Sequence, residues 1–188
     1  DWGKYVDLTK NYNTMVVAVG DPSTLSLLES PGDVGCDIYV GEGQPLGNYL
    51  SYGGPYLGLF AIKDSLKRKL PGRVVGMTTD SNNKKGFVLT LQTREQHIRR
   101  SKATSNICTN QGLVALRSVI YMSLMGKEGL PNLSKICFDK AHYAAENINN
   151  IDGFNLFKSK NNFIKEFTVE TKFSAKKIKA EAEKSGYL

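Results

Sequence analysis

The feature that most constrains the fold of this chain is a loop-like stretch, residues 41–61, in which six glycines and two prolines alternate with aromatic side chains. Glycine adopts positive φ and allows close approach of another backbone, whereas proline fixes φ and cannot extend a strand ladder. Because short apolar runs stand at 37–40 and 56–61, we predict two buried strands joined by an ordered crossing loop. Such loops carry ligand or subunit contacts in α/β folds; a purely structural crossover is the alternative.

The composition is that of an ordinary globular chain: 188 residues, 40% of them hydrophobic and 23% charged. No apolar run approaches the roughly 20 residues that a membrane span needs, so we predict no membrane contact. The net charge is +7, and much of the excess lies in lysines of residues 158–184. Lysines spaced along an amphipathic helix usually form a solvated face, and no nucleic-acid motif accompanies them, so we predict no nucleic-acid partner.

The cysteines indicate the cellular compartment, and the chain ends indicate whether the sequence is a fragment. Cys36, Cys108 and Cys137 are widely spaced and lack CxxC pairing, which favours reduced thiols in a cytoplasmic protein over a metal site. The chain begins at Asp1 rather than Met, and each end falls inside an element, which indicates a fragment.

The predicted elements alternate between helix and strand, the order of an α/β fold. The fully apolar strand at 14–19 favours a parallel sheet, and the polar turn at 80–86 favours an antiparallel hairpin added to that sheet. Strands are predicted at 14–19, 37–40, 56–61, 74–78, 87–91 and around 164–169. Helices are predicted at 23–29, 64–70, 111–125, 130–147 and 175–184.

The polar stretch 92–110 is the second informative segment, because its arginines, hydroxyls and amides run into the helix predicted at 111–125. Such donors ahead of a helix can hold a phosphate or a carboxylate. The alternative, which composition favours, is that Thr109 only caps the helix and the arginines pair with acids. The helix itself is apolar almost all round, which predicts burial against a sheet or a partner subunit.

The histidines and the other residues that could act in catalysis or bind a metal give little indication of function. His97 lies among arginines and can bind an anion or relay a proton, whereas His142 lies beside apolar residues and is more simply a packed histidine. The sequence has no zinc-ligand spacing, no Ser-His-Asp set, no P-loop and no GxGxxG motif. From the residues alone we therefore predict no metal ligand, and the interpretation stops at a basic α/β fragment with two loops of functional character.

Both informative segments resemble a known family. Residues 41–47, 51–58, 86–100 and 102–111 are similar to the glycine decarboxylase P-protein of the glycine cleavage system, specifically to subunit 1 of the two-subunit glycine dehydrogenase (decarboxylating). The resemblance is near-continuous from about Asp21 to Ala144.

The resemblance implies a fold. It is the aspartate-aminotransferase fold, type I of the pyridoxal-phosphate enzymes, with a large α/β domain and a smaller C-terminal α/β domain. Residues 1–126 would be the C-terminal part of the large domain, and residues 127–188 the connecting helix and an incomplete small domain.

The resemblance also implies a reaction. Glycine forms a Schiff base with pyridoxal 5'-phosphate and loses its carboxylate as carbon dioxide, and the aminomethyl group passes to the lipoyl arm of H-protein. In active members a lysine follows a strand aspartate at a set spacing; counted from Asp37, that position falls at Gln44 and Pro45. The resemblance thus implies a non-catalytic subunit whose partner, the lysine-bearing subunit 2, holds the cofactor covalently. A non-catalytic interaction or structural domain is the alternative.

One site follows from the resemblance. In this fold the loop before the long apolar helix tends to approach the neighbouring subunit's cofactor phosphate, so we expect this loop to form an interface wall near the partner's pyridoxal phosphate. The expected cofactor-binding residues are Thr104, Ser105, Asn106 and Thr109, with Arg94, His97 and Arg99 behind them. We expect the isolated chain to be inactive.

Overall fold

The computed structural model describes residues 2–92, 95–103, 111–157 and 162–187. The chain forms two units, Asp1–Gly126 and Lys127–Leu188. The helices are α1 Trp2–Thr9, α2 Gln96–Arg99, α3 Gly112–Asn149 and α4 Ala175–Lys184. The strands are β1 Val17–Val19, β2 Ile38–Glu42, β3 Gly58–Ile62, β4 Val74–Thr79, β5 Lys85–Thr90, β6 Phe154–Leu156 and β7 Val169–Thr171. The described part of the chain thus mixes helix and strand, as the sequence predicts.

The first unit contains a three-stranded sheet in the order β1-β2-β3. β1 runs parallel to β2 with Val17 opposite Ile38, and β3 runs antiparallel to β2 with Gly58 opposite Glu42. β-branched residues dominate β1, and its central Ala18 is buried. The carboxyl ends of β1 and β2 therefore meet at one sheet edge, and the loop 43–57 leaves and returns there.

The segment after β1 turns sharply away from this edge. Asp21 caps a short 3₁₀ helix, Pro22–Ser26, by accepting a 2.8 Å hydrogen bond from the Ser23 backbone N–H. Residues 23–29 were predicted as a longer helix, and that prediction is wrong beyond Ser26. Serine and threonine dominate the 3₁₀ segment, and their side chains compete for local backbone hydrogen bonds; Thr24 Oγ1 donates to the Asp21 carbonyl at 2.7 Å. The segment predicted as a helix at 64–70 is likewise a 3₁₀ helix, Asp64–Lys69.

The predicted hairpin is confirmed. β4 pairs antiparallel with β5, from Val74 opposite Thr90 to Thr79 opposite Lys85. Its turn is held by Asp80, whose Oδ1 accepts hydrogen bonds from the backbone N–H groups of Asn82 and Lys84.

Helix α3 spans the two helices predicted at 111–125 and 130–147. Gly126 interrupts it with φ 61° and ψ −169°, a backbone conformation that is not helical. Val114 and Ser118 are buried on one side, but several large apolar residues on the other side stay exposed. Within the described part of this chain only one face of the first half of the helix is packed, and burial of its other faces against a partner subunit stays a prediction.

The second unit packs around the second half of α3. β6 pairs antiparallel with β7, so the strand predicted around 164–169 begins only at Val169, and β6 was not predicted. The His142 ring is stacked between Phe138 and Phe163 at centroid distances of 4.0 and 4.1 Å, in agreement with a packed histidine. Among the described residues, no helix has both the length and the apolar character to cross a membrane.

Candidate functional site

A cavity of about 490 Å³ opens at the carboxyl ends of β1 and β2, the edge at which sheets of this kind bind ligands. Gly20, which lines this cavity, accepts a 2.9 Å hydrogen bond at its carbonyl from the Tyr39 hydroxyl. A Cβ atom at Gly41 would lie 2.7 Å from that hydroxyl and 2.8 Å from that carbonyl oxygen, so only glycine fits. Burial, followed by the negative charge of Asp21, raises the pKa of Tyr39. The lining residues are Val19, Gly20, Asp21, Val40, Gly41, Glu42, Gln44 and Pro45.

The loop 43–57 is closed at its base by Glu42. One carboxylate oxygen accepts from the Gln44 backbone N–H at 2.8 Å, and the other accepts from the Leu57 backbone N–H at 3.2 Å. The Gly43 N–H donates to the Leu57 carbonyl at 2.6 Å, which extends the β2–β3 ladder past the ends of both strands. Both stems of the loop are therefore fixed by the residue that ends β2.

The middle of the loop sits on helix α3. Asn48 donates from Nδ2 to the buried hydroxyl of Ser118 at 2.7 Å, across seventy residues of sequence. Gly47 has φ 84°, and a Cβ atom there would lie 2.5 Å from both Cβ and Cγ of Tyr121. The backbone of the loop thus approaches the helix as closely as a residue without a side chain permits.

The tip of the loop, residues 49–53, protrudes beyond its contact with α3. Tyr52 is 94% exposed, and Tyr49 and Leu50 are each at least 70% exposed. The tip is nevertheless ordered by contacts: the Gly53 N–H donates to the Tyr56 hydroxyl at 3.0 Å, and the Arg117 guanidinium lies 3.9 Å from the centre of the Tyr49 ring. An exposed aromatic tip of this kind is suited to contact another molecule.

Asp37, the aspartate from which the lysine position is counted, lies at the other end of β2. Its Oδ2 accepts from the Val16 backbone N–H at 2.8 Å, and its Oδ1 pairs with Lys63 Nζ at 2.8 Å. The hydrogen bond from Lys63, then that from Val16, lowers the pKa of Asp37. Asp37 therefore ties the start of β1 to the end of β3 and does not face the cavity.

The cavity of this chain does not fit a covalently held phosphate cofactor. Its lining carries the carboxyl groups of Asp21 and Glu42, whose negative charge opposes a phosphate, and none of its described lining residues is a lysine. Lys63 pairs with Asp37 instead, and it also donates to the Gly35 carbonyl. Among the described residues, Gln44 Nε2 and Asn48 Oδ1 are buried and have no hydrogen-bond partner.

The residues predicted to form the interface wall are not among those described. Thr104, Ser105, Asn106 and Thr109 lie outside the described residues, as do Arg94 and Cys108, so the wall stays a prediction. His97 and Arg99 are described: both lie in α2 and both are exposed.

Sequence reasoning missed the residues that hold the loop. Glu42 accepts hydrogen bonds from backbone N–H groups, which no side-chain pattern reveals. Asn48 and Arg117 contact side chains about seventy residues away in the sequence. The only local signal was the glycine at 47, since a glycine amid larger residues indicates a close approach.

Fold and loop together define an α/β protein with a glycine-rich loop ordered at the carboxyl edge of its sheet. The family described as Glycine cleavage system P-protein matches residues 1–188, and the chain belongs to that family. The resemblance noted from the sequence is thereby confirmed.

Curated relatives carry a more specific name. The probable glycine dehydrogenase (decarboxylating) subunit 1 of Chloroherpeton thalassium is 59% identical, over 84% of this chain and 35% of that protein. The protein of the same name from Chlorobium phaeobacteroides is 55% identical, over 92% of this chain and 38% of that protein. The chain thus spans little more than a third of the length of these relatives.

A solved structure has the same fold. The crystal structure of glycine decarboxylase (P-protein) of the glycine cleavage system, in inhibitor-bound form, matches with a TM-score of 0.92 and 37% identity. The match covers the whole of this chain and 43% of that one.

Proposed function

We propose that this chain is part of subunit 1 of a two-subunit glycine decarboxylase, the P-protein of the glycine cleavage system. The observation that carries the proposal is the 59% identity to a relative named as that subunit, together with the family match over the whole chain. The assembled enzyme would decarboxylate glycine and pass the aminomethyl group to the lipoyl arm of H-protein. Pyridoxal 5'-phosphate would supply the electron sink for that decarboxylation.

The proposed fold is type I of the pyridoxal-phosphate enzymes. Its support is the parallel β1–β2 pair, the long helix α3 and the close match to a glycine decarboxylase structure. We assign residues 1–126 to the C-terminal part of the large domain. Residues 127–188 would be the connecting helix and part of the small domain.

We further propose that the cofactor is bound covalently by the partner, subunit 2, and not by this chain. Gln44 and Pro45 stand where the lysine of active members is expected, and neither can form a Schiff base. The carboxyl groups of Asp21 and Glu42 at the same edge argue against a phosphate in this cavity.

The proposed contribution of this chain to catalysis is a wall across the subunit interface. Thr104, Ser105, Asn106 and Thr109 would present neutral donors to the phosphate of the partner's pyridoxal phosphate. Loss of one such donor, in Ser105→Ala or Asn106→Ala, should weaken cofactor binding by the assembled enzyme by about 1 kcal/mol, or roughly fivefold in Kd. Unchanged cofactor affinity in both variants would count against the wall.

We place the enzyme in the cytoplasm. Cys36 and Cys137 are free thiols, the state that a reducing compartment maintains.

The experiment that tests the proposed function is borohydride reduction of the complex with subunit 2, followed by mass spectrometry of each chain. We expect the phosphopyridoxyl adduct only on subunit 2, and release of carbon dioxide from glycine once H-protein is added. Lys63→Arg and Lys102→Arg are matched controls that keep the charge, and neither should change the adduct yield. An adduct on any lysine of this chain would overturn the assignment, whereas an adduct on neither chain would favour a purely structural or interaction domain.

A further inference from the structure

We draw no further inference here: the strongest candidate, the cavity at the carboxyl ends of β1 and β2 that Asp21, Glu42 and Gln44 line, supports no proposal, because the chain spans only 35–38% of the curated relatives described above and nothing in the structure shows whether the rest of the same subunit fills that cavity.

Discussion

Replacement of Gly47 by alanine tests how closely the backbone of the loop packs against α3. Gly47 has φ 84°, and an added Cβ would lie 2.5 Å from Cβ and Cγ of Tyr121, closer than unbonded carbons approach. The left-handed conformation costs an alanine about 1–2 kcal/mol. Overpacking typically costs a further 1–3 kcal/mol, so Gly47→Ala should lower the free energy of unfolding by about 2–5 kcal/mol.

Two other glycines of the same region separate these contributions. Gly53 also has positive φ, 124°, but a Cβ there meets nothing within 4 Å, so Gly53→Ala carries only the backbone strain and should cost about 1–2 kcal/mol. Gly58, in β3, has neither a positive φ nor a close neighbour, so Gly58→Ala should change stability by less than about 1 kcal/mol.

The assay is urea unfolding of the three variants and the wild-type protein, with the free energy extrapolated to water. A loss of 2–5 kcal/mol is a large part of the roughly 5–15 kcal/mol that stabilises a typical domain, so the difference is well resolved. If Gly47→Ala is no less stable than Gly53→Ala, the close contact with Tyr121 does not exist and the reasoning about the loop seat is refuted.

Two further predictions concern the carboxylates at either end of β2. The lowered pKa of Asp37, due to Lys63 and the Val16 N–H, means that its contribution to stability is full above the ordinary value of 3.8 and is lost as the pH falls through the lower folded value. Asp37→Asn should therefore be less stable than wild type at pH 7, with a difference in thermal midpoint that shrinks below about pH 4; a pH-independent difference would contradict this. Glu42→Ala should speed amide exchange at Leu57 by roughly fivefold, since a hydrogen bond worth about 1 kcal/mol is lost; unchanged exchange in peptides that contain Leu57 would show that Glu42 does not close the loop.

The sequence predicts the elements whose signal is local. The strand β2 and the β4–β5 hairpin were predicted because their apolar runs are bounded by turn residues such as Asp80 and Asn83. Strand β6 was missed, because Phe154–Leu156 is three residues long and is defined by its pairing with β7, which no local pattern reveals. The 3₁₀ segment at Pro22–Ser26 was predicted too long, because periodicity does not distinguish a single 3₁₀ turn from a short α-helix.

The candidate site was predictable only in part. The glycines of 41–61 identify an ordered loop, and the resemblance they carry identifies the family. The contact of Asn48 with Ser118 joins residues seventy positions apart, and the stacking of Arg117 on Tyr49 is similarly remote. The exposure of Leu113 and Leu124 on α3 was also not predictable, since composition alone does not show which face of a helix is packed.

The closure of the loop base by Glu42 has a consequence for the speed of association. With Gln44 and Leu57 held by one carboxylate and Asn48 held by the helix, both stems of the loop and the start of its tip are in place before any encounter. The entropy of ordering that segment is then lost during folding and not during binding. A partner that meets this tip finds no slow rearrangement ahead of it, so the observed association rate should rise in proportion to partner concentration, without a plateau.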